Sequence, residues 1–282
     1  MLTRGDKGQA VVELQERLIA LGYALPRWGA DGDLGNETLD ALTRFLVDHG
    51  DGYADLDAGS VSDWEIGHVQ KIFNALAWPV PVPGKVFYDL RREASRKAVG
   101  GRRPWTKITG ICLHQTACDF GAESPRRWDT LGAHIGASRE GNVFWAHDLE
   151  FVVYHGNELN GFTVGLECEG NYPGLDGDTS TVWQPGGGAL MTVTPELAKA
   201  AQEAIRWICA TVARHGGKVV HLFAHRQTAG SRRADPGEEI WKQVALPIMA
   251  ELSLDDGGPK FRIDNGRPIP EAWNPEYRGN AY

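Results

Sequence analysis

The sequence predicts an α/β fold, a mixed β-sheet with packed helices, preceded by a small all-α unit. Three observations carry this prediction. Apolar runs over 108–113, 162–170 and 219–223 have strand length, and each is bounded by polar or glycine-containing segments. Helical signals stand around them: Pro195 opens a run reaching about His215, and Ile240, Trp241, Val244 and Ile248 recur at helical spacing after Asp235-Pro236-Gly237. Within the first 48 residues, two apolar sets repeat every three to four positions: Val11, Leu14, Leu18 and Leu21, then Leu39, Leu42, Phe45 and Leu46.

Taken in order, the first helix is expected to close at Gly22, and Asp31-Gly32-Asp33-Leu34-Gly35 to form a tight turn before a second helix over 38–47. Residues 51–104 read as a connector. A short helix is expected over 69–76, a Pro-rich stop over 78–84, and a solvated basic segment over 91–103. The flanks of Arg139-Glu140-Gly141 read as a hairpin. Residues 171–193, with Trp183 and three successive glycines, read as a long loop able to wall a groove. The Gly/Pro/Asn-rich stretch 253–282 is expected to be an extended tail on the surface.

A chain of 282 residues suggests two domains with ample apolar content for a core. A net charge of −8 argues against nucleic acid as the main partner. No apolar run is long enough to span a membrane, and the charged start at Arg4 and Asp6 is not that of a signal peptide. The expectation is a soluble protein made in a cytoplasm, without membrane insertion. Cys112, Cys118, Cys168 and Cys209 match no metal-ribbon or redox spacing, so a disulfide framework is not expected.

Chemistry concentrates at the strand ends. The first strand runs into His114 and the last into His225, and a polar loop from His225 leads to Asp235. Imidazole and carboxylate are ordinary zinc ligands, and a catalytic site needs three of them plus an open position. In the middle strand, alternation puts Val164, Leu166 and Cys168 on one face and Glu167 on the other. A carboxylate near a metal but outside its ligand set suits a general base. Spacing alone leaves other readings: a satisfied core histidine for His114, a salt-bridged strand carboxylate for Glu167, and a helix N-cap for Asp235.

The runs Ile-Thr-Gly-Ile-Cys-Leu-His-Gln-Thr (108–116), Val-Gly-Leu-Glu (164–167) and Ala-His…Ala-Asp-Pro-Gly (224–237) resemble zinc-dependent N-acetylmuramoyl-L-alanine amidases. Peptidoglycan recognition proteins and phage-type amidases share that fold. The resemblance spans roughly 105–252 and implies a catalytic domain there. It implies one zinc per chain held by His114, His225 and Asp235, with Glu167 as catalytic glutamate and His134 and His155 lining a substrate groove. Residues 1–50, through Gly8, Leu14-Gln15, Leu21-Gly22-Tyr23, Asp31-Gly32, Gly35 and Phe45, resemble a three-helix peptidoglycan-binding module.

The implied reaction is hydrolysis of the amide between the lactyl group of N-acetylmuramic acid and L-alanine, with bacterial peptidoglycan as partner and the role of a phage endolysin reached through a holin. Arg233, where many relatives have lysine, is expected to stabilise the oxyanion. Ala133 replaces a tyrosine that several relatives carry, so that hydrogen-bond donor must be replaced or absent. Three alternatives stay open: a non-catalytic zinc-containing peptidoglycan receptor, a secreted antibacterial amidase effector, and a cysteine hydrolase using Cys112 or Cys118.

Overall fold

The computed structural model describes residues 1–21, 23–48, 59–69, 87–121, 125–182 and 190–282. The expectations for Gly22, for 70–84 and for Trp183 with its glycines lie outside the described residues. The chain divides into two units, Met1–Pro79 and Val80–Tyr282.

In the first unit, Val11, Leu14 and Leu18 give helix α1 (Gln9–Ala20) one apolar face. Helix α2 (Asn36–Asp48) buries Leu39, Leu42, Phe45 and Leu46 in the same cluster, and a further helical stretch over 63–69 adds Val69. Gln15 fixes the turn between α1 and α2. Its amide nitrogen lies within 3.0 Å of Asp31 Oδ1, the Asp33 carbonyl and Thr38 Oγ1, and its oxygen accepts from Gly32 N. Strand β1 (Leu2–Thr3) pairs antiparallel with β2 (Ser60–Val61), which carries this unit past residue 50.

The second unit holds strands β3 (Phe87–Asp89), β4 (Val99–Arg102), β5 (Gly110–Gln115), β6 (Ile135–Ala137), β7 (Val143–Trp145), β8 (Phe151–Val153), β9 (Thr163–Cys168) and β10 (His221–Ala224). A six-stranded sheet runs in the order β10-β5-β9-β6-β7-β3. Strands β10, β5, β9 and β6 are mutually parallel, and β7 turns back antiparallel to β6. The central strands are covered on both faces, which is why they read as unbroken apolar runs.

Thr194 caps the long helix Pro195–Arg214, its Oγ1 accepting from Leu197 N at 3.1 Å. Leu197, Ala201, Ile205 and Ile208 of that helix join Ile111, Leu113, Val164 and Leu166 in one core. The final helical run passes through Glu238–Ile240, a π-helical turn Trp241–Ala245 and Leu246–Leu252, burying Ile240, Trp241, Val244 and Ile248.

Two stretches differ from expectation. The later part of the expected connector is built into the second unit: β3 forms an edge of the large sheet, and β4, within the basic segment, pairs with β8. Arg103 is buried there, donating to the carbonyls of Asn160 and Leu149. The C-terminal stretch carries no helix or strand, yet Ile269 and Trp273 are fully buried in the main core. Irregular backbone satisfied by loop carbonyls explains why its composition resembled that of a surface tail.

Candidate metal centre

The parallel sheet brings the predicted residues to one edge. In register, His114 of β5 stands opposite Glu167 of β9. Ala224 at the end of β10 pairs with Leu113, so His225 emerges beside His114. The loop after His225 turns back through a 3-10 turn, Gly230–Arg232, to Asp235, and Arg226 N donates to the Asp235 carbonyl at 3.1 Å to close it. Asp235 is no N-cap; the helix starts at Glu238 after Gly237. The side chain of Asp235 points inward, Oδ1 accepting from Gln115 N at 2.9 Å and Oδ2 lying 3.0 Å from His225 Nδ1.

Three donors converge there. His114 Nδ1 is 3.1 Å from His225 Nδ1 and 3.8 Å from Asp235 Oδ2. A tetrahedral ion about 2.0–2.1 Å from such donors sets them about 3.3 Å apart. The His114, His225 and Asp235 donor set therefore fits a divalent metal. All three are buried.

The proton arrangement agrees. His114 Nε2 lies 3.0 Å from His155 Nδ1, and His155 Nε2 lies 3.4 Å from the Thr163 carbonyl. A relay in which each Nε2–H donates onward leaves His114 Nδ1 with a free lone pair for a metal. Burial lowers the pKa of His114, keeping it neutral. Against the cost of burial, the adjacent His114 and His225 imidazoles hold the Asp235 carboxyl well below its ordinary range.

Glu167 stays outside the donor set. Its Oε2 is buried without a hydrogen-bond partner among the described residues. Desolvation, then the nearby Asp235 charge, push its carboxyl up to about 8, with Arg232 opposing.

Three further expected residues lie outside the donor set. His134 is fully buried, its Nδ1 accepting from Gly165 N and its Nε2 bonded to the Phe151 carbonyl, both at 2.9 Å. It braces β6, β8 and β9 and cannot line a groove. His155 packs so closely on β9 that a Cβ at Gly165 would stand 2.7 Å from its ring. It lies against His114 on the side away from the three donors. Arg233 is exposed and lies over the Tyr282 ring at 5.2 Å. The charge felt at His114 and Glu167 is that of Arg232.

Burial disfavours the thiolate at both candidate thiols. Cys112 is fully buried beside Leu159 and Phe223, and burial pushes its pKa well up. Burial also raises Cys118.

Sequence reasoning missed Gln115, which clamps the site from below. Its amide donates to the carbonyls of Ala234 and Tyr172 and accepts from Tyr172 N. Its place directly after His114 was the available signal.

Residues 104–238 match the family model described as N-acetylmuramoyl-L-alanine amidase, and this segment has the N-acetylmuramoyl-L-alanine amidase fold. Among curated proteins, the amidase CwlL of Bacillus licheniformis is 50% identical over 42 residues, which is 15% of this chain and 12% of that protein. A probable N-acetylmuramoyl-L-alanine amidase of the same organism is 48% identical over 42 residues. The match thus spans about an eighth of the length of these relatives. Among solved structures, the endolysin amidase LysCS from Clostridium intestinale is similar with TM-score 0.41 and 15% identity, covering 60% of this chain and 95% of that one. Bumblebee PGRP-SA is similar with TM-score 0.41 and 15% identity, covering 57% and 93%.

Proposed function

We propose that the chain is a zinc-dependent peptidoglycan amidase of the phage-lysin type, hydrolysing the amide between the N-acetylmuramic acid lactyl group and L-alanine. The observation that carries this reading is the buried convergence of His114, His225 and Asp235, with Glu167 in register beside them, inside the segment that matches the amidase family. A zinc held by those three residues supplies Lewis acidity and a more acidic water.

Glu167 takes the proton of the attacking water and returns one to the leaving amine. Its place outside the donor set and its unpartnered Oε2 suit that task. Arg232 supplies the positive charge where the tetrahedral oxyanion develops, in place of Arg233. His155 holds the His114 tautomer, and Gln115 holds Asp235 through its backbone N–H.

Residues of the first unit are proposed to bind the cell wall. A groove of about 540 Å³ there is lined by Arg27, Trp28, Asp31, Asn36 and Glu37 among others, with Trp28 61% exposed and the Arg27 guanidinium 5.0 Å from its ring centre. An exposed aromatic face beside carboxylates and amides suits a sugar ring, which presents C–H and hydroxyl groups together. The Glu37 carboxylate accepts from the backbone N–H groups of Arg27 and Trp28 at 2.8 and 3.1 Å and fixes that rim.

The test is incubation with purified sacculi, scoring new L-alanine amino termini and bound zinc together. Release that requires about one zinc per chain supports the reading. A fully active metal-free protein refutes the zinc mechanism, and zinc binding without release makes the protein a receptor.

A further inference from the structure

Arg226 is the largest charged side chain that the second unit buries completely. It immediately follows His225. Its guanidinium bonds carbonyl oxygens: Nε donates to Pro268 at 3.1 Å and Nη1 to Arg233 at 2.5 Å, while Nη2 has no hydrogen-bond partner among the described residues. The group also lies over the Trp273 ring at 4.7 Å and the Tyr282 ring at 5.0 Å. Burying a cation without a carboxylate is costly, so the aromatic faces and carbonyls must substitute for one. Both rings and Pro268 belong to the C-terminal stretch.

That stretch is bound to the same loop along its length. Ile263 N donates to the Gln227 carbonyl at 2.8 Å and Arg267 N to the Arg226 carbonyl at 2.7 Å. Gln227 Nε2 returns a bond to the Asp256 carbonyl at 2.8 Å. The chains approach so closely that a Cβ at Gly266 would stand 2.0 Å from the Gln227 carbonyl oxygen. At its far end the stretch reaches the other loop flanking the centre: Tyr282 OH donates to the Thr181 carbonyl at 3.2 Å, and Trp273 Nε1 donates to the Gly174 carbonyl.

We propose that the C-terminal stretch is a strap that sets the metal-ligand loop, with Arg226 as the positioning residue through which Trp273 and Tyr282 act on His225 and Asp235. The physical reason is leverage. His225 and Asp235 lie at the two ends of a loop with no strand pairing of its own, and Arg226 ties both ends. Its backbone N–H bonds the Asp235 carbonyl and its side chain the Arg233 carbonyl. The strap fixes the guanidinium, and the guanidinium fixes the distance between the ligands. The inference rests on the proposed metal site for its purpose, and on the contacts themselves for its mechanics.

The test uses the full-length chain and the variants Tyr282→Ala, Tyr282→Phe and Arg226→Lys. Zinc affinity is read by chelator competition, and amide hydrogen exchange is read on the metal-free protein. Tyr282→Ala is expected to weaken zinc binding by roughly tenfold or more, the scale for a group supporting metal ligands from outside. It is also expected to speed exchange over 225–237 while amides of β5 and β9 keep their protection. Tyr282→Phe keeps the ring over Arg226 and is expected to stay close to the parent. Arg226→Lys keeps the charge but loses the planar fork, and is expected to resemble Tyr282→Ala. Unchanged loop exchange and zinc affinity in Tyr282→Ala overturn the strap. A uniform rise in exchange across the sheet also overturns it, because the residue then serves general stability. If the parent binds no zinc, the metal reading fails, and loop exchange still decides the strap.

Discussion

Two neighbouring arginines separate charge from chemistry at the residue scale. Arg232 closes a 3-10 turn and its charge acts on Glu167 and His114, whereas Arg233 is exposed over Tyr282. A preorganised charge at a developing oxyanion is worth about 3–4 kcal/mol, so Arg232→Ala should lower turnover on the order of a hundred- to a thousandfold with zinc content retained. Arg233→Ala should change it by less than about threefold, a contrast that steady-state kinetics on soluble muropeptides will decide. Glu167→Gln should keep zinc while activity falls by roughly two to four orders of magnitude. The same variant tests the electrostatics. In the metal-free protein the folded Glu167 carboxyl is raised from an ordinary 4.5 to about 8. The native state then holds a proton that the unfolded chain has released, so this group costs stability increasingly as pH rises between those values. The stability advantage of Glu167→Gln, measured by denaturant unfolding, should therefore widen from pH 5 to about pH 8.

Elements position these residues by parallel register. β5 lies between β10 and β9, so one strand end presents His114 with His225 on one side and Glu167 on the other. Gln115 converts that register into a fixed loop, because its side chain bonds Tyr172 and Ala234 and its N–H bonds Asp235. Gln115→Ala leaves those buried backbone groups unpaired, each costing about 1–3 kcal/mol. Thermal melting should show a clear loss, and zinc binding should weaken further than the melting shift alone implies. An unchanged melting point would show that water replaces the amide.

The whole molecule consists of two units, each with its own core. Every residue proposed for catalysis lies in the second. A chain starting at Val80 should therefore still cleave soluble muropeptides, while its binding to intact sacculi weakens because tethering no longer raises its local concentration. Trp28→Ala in the full chain should reproduce the weaker sacculus binding without changing cleavage of soluble substrates, as pull-down and turnover measured side by side will show. Equal pull-down of the parent and both variants would remove the wall-binding role.

Sequence alone determined the three central parallel strands, because buried parallel strands need continuous apolar runs, which 108–113, 162–170 and 219–223 provide. It also determined the facing of Glu167, since a period of two places Val164, Leu166 and Cys168 on the opposite face. His114, His225 and Asp235 were named as a set through the resemblance to the amidases, since spacing alone left a core histidine and a helix N-cap open. Only the tertiary structure decided where His134 and His155 lie. His134 and His155 read alike in sequence, and burial against β9 makes both of them interior residues. Only it placed Arg233 in an exposed position over the Tyr282 ring, because the direction of a side chain in a short turn leaves no periodic trace. And only it revealed the C-terminal strap, whose Gly- and Pro-rich stretch resembles a solvated tail until the carbonyls and the buried guanidinium it meets are in place. Local pattern encodes direction along an element; contacts between distant segments are set by the packing that brings them together.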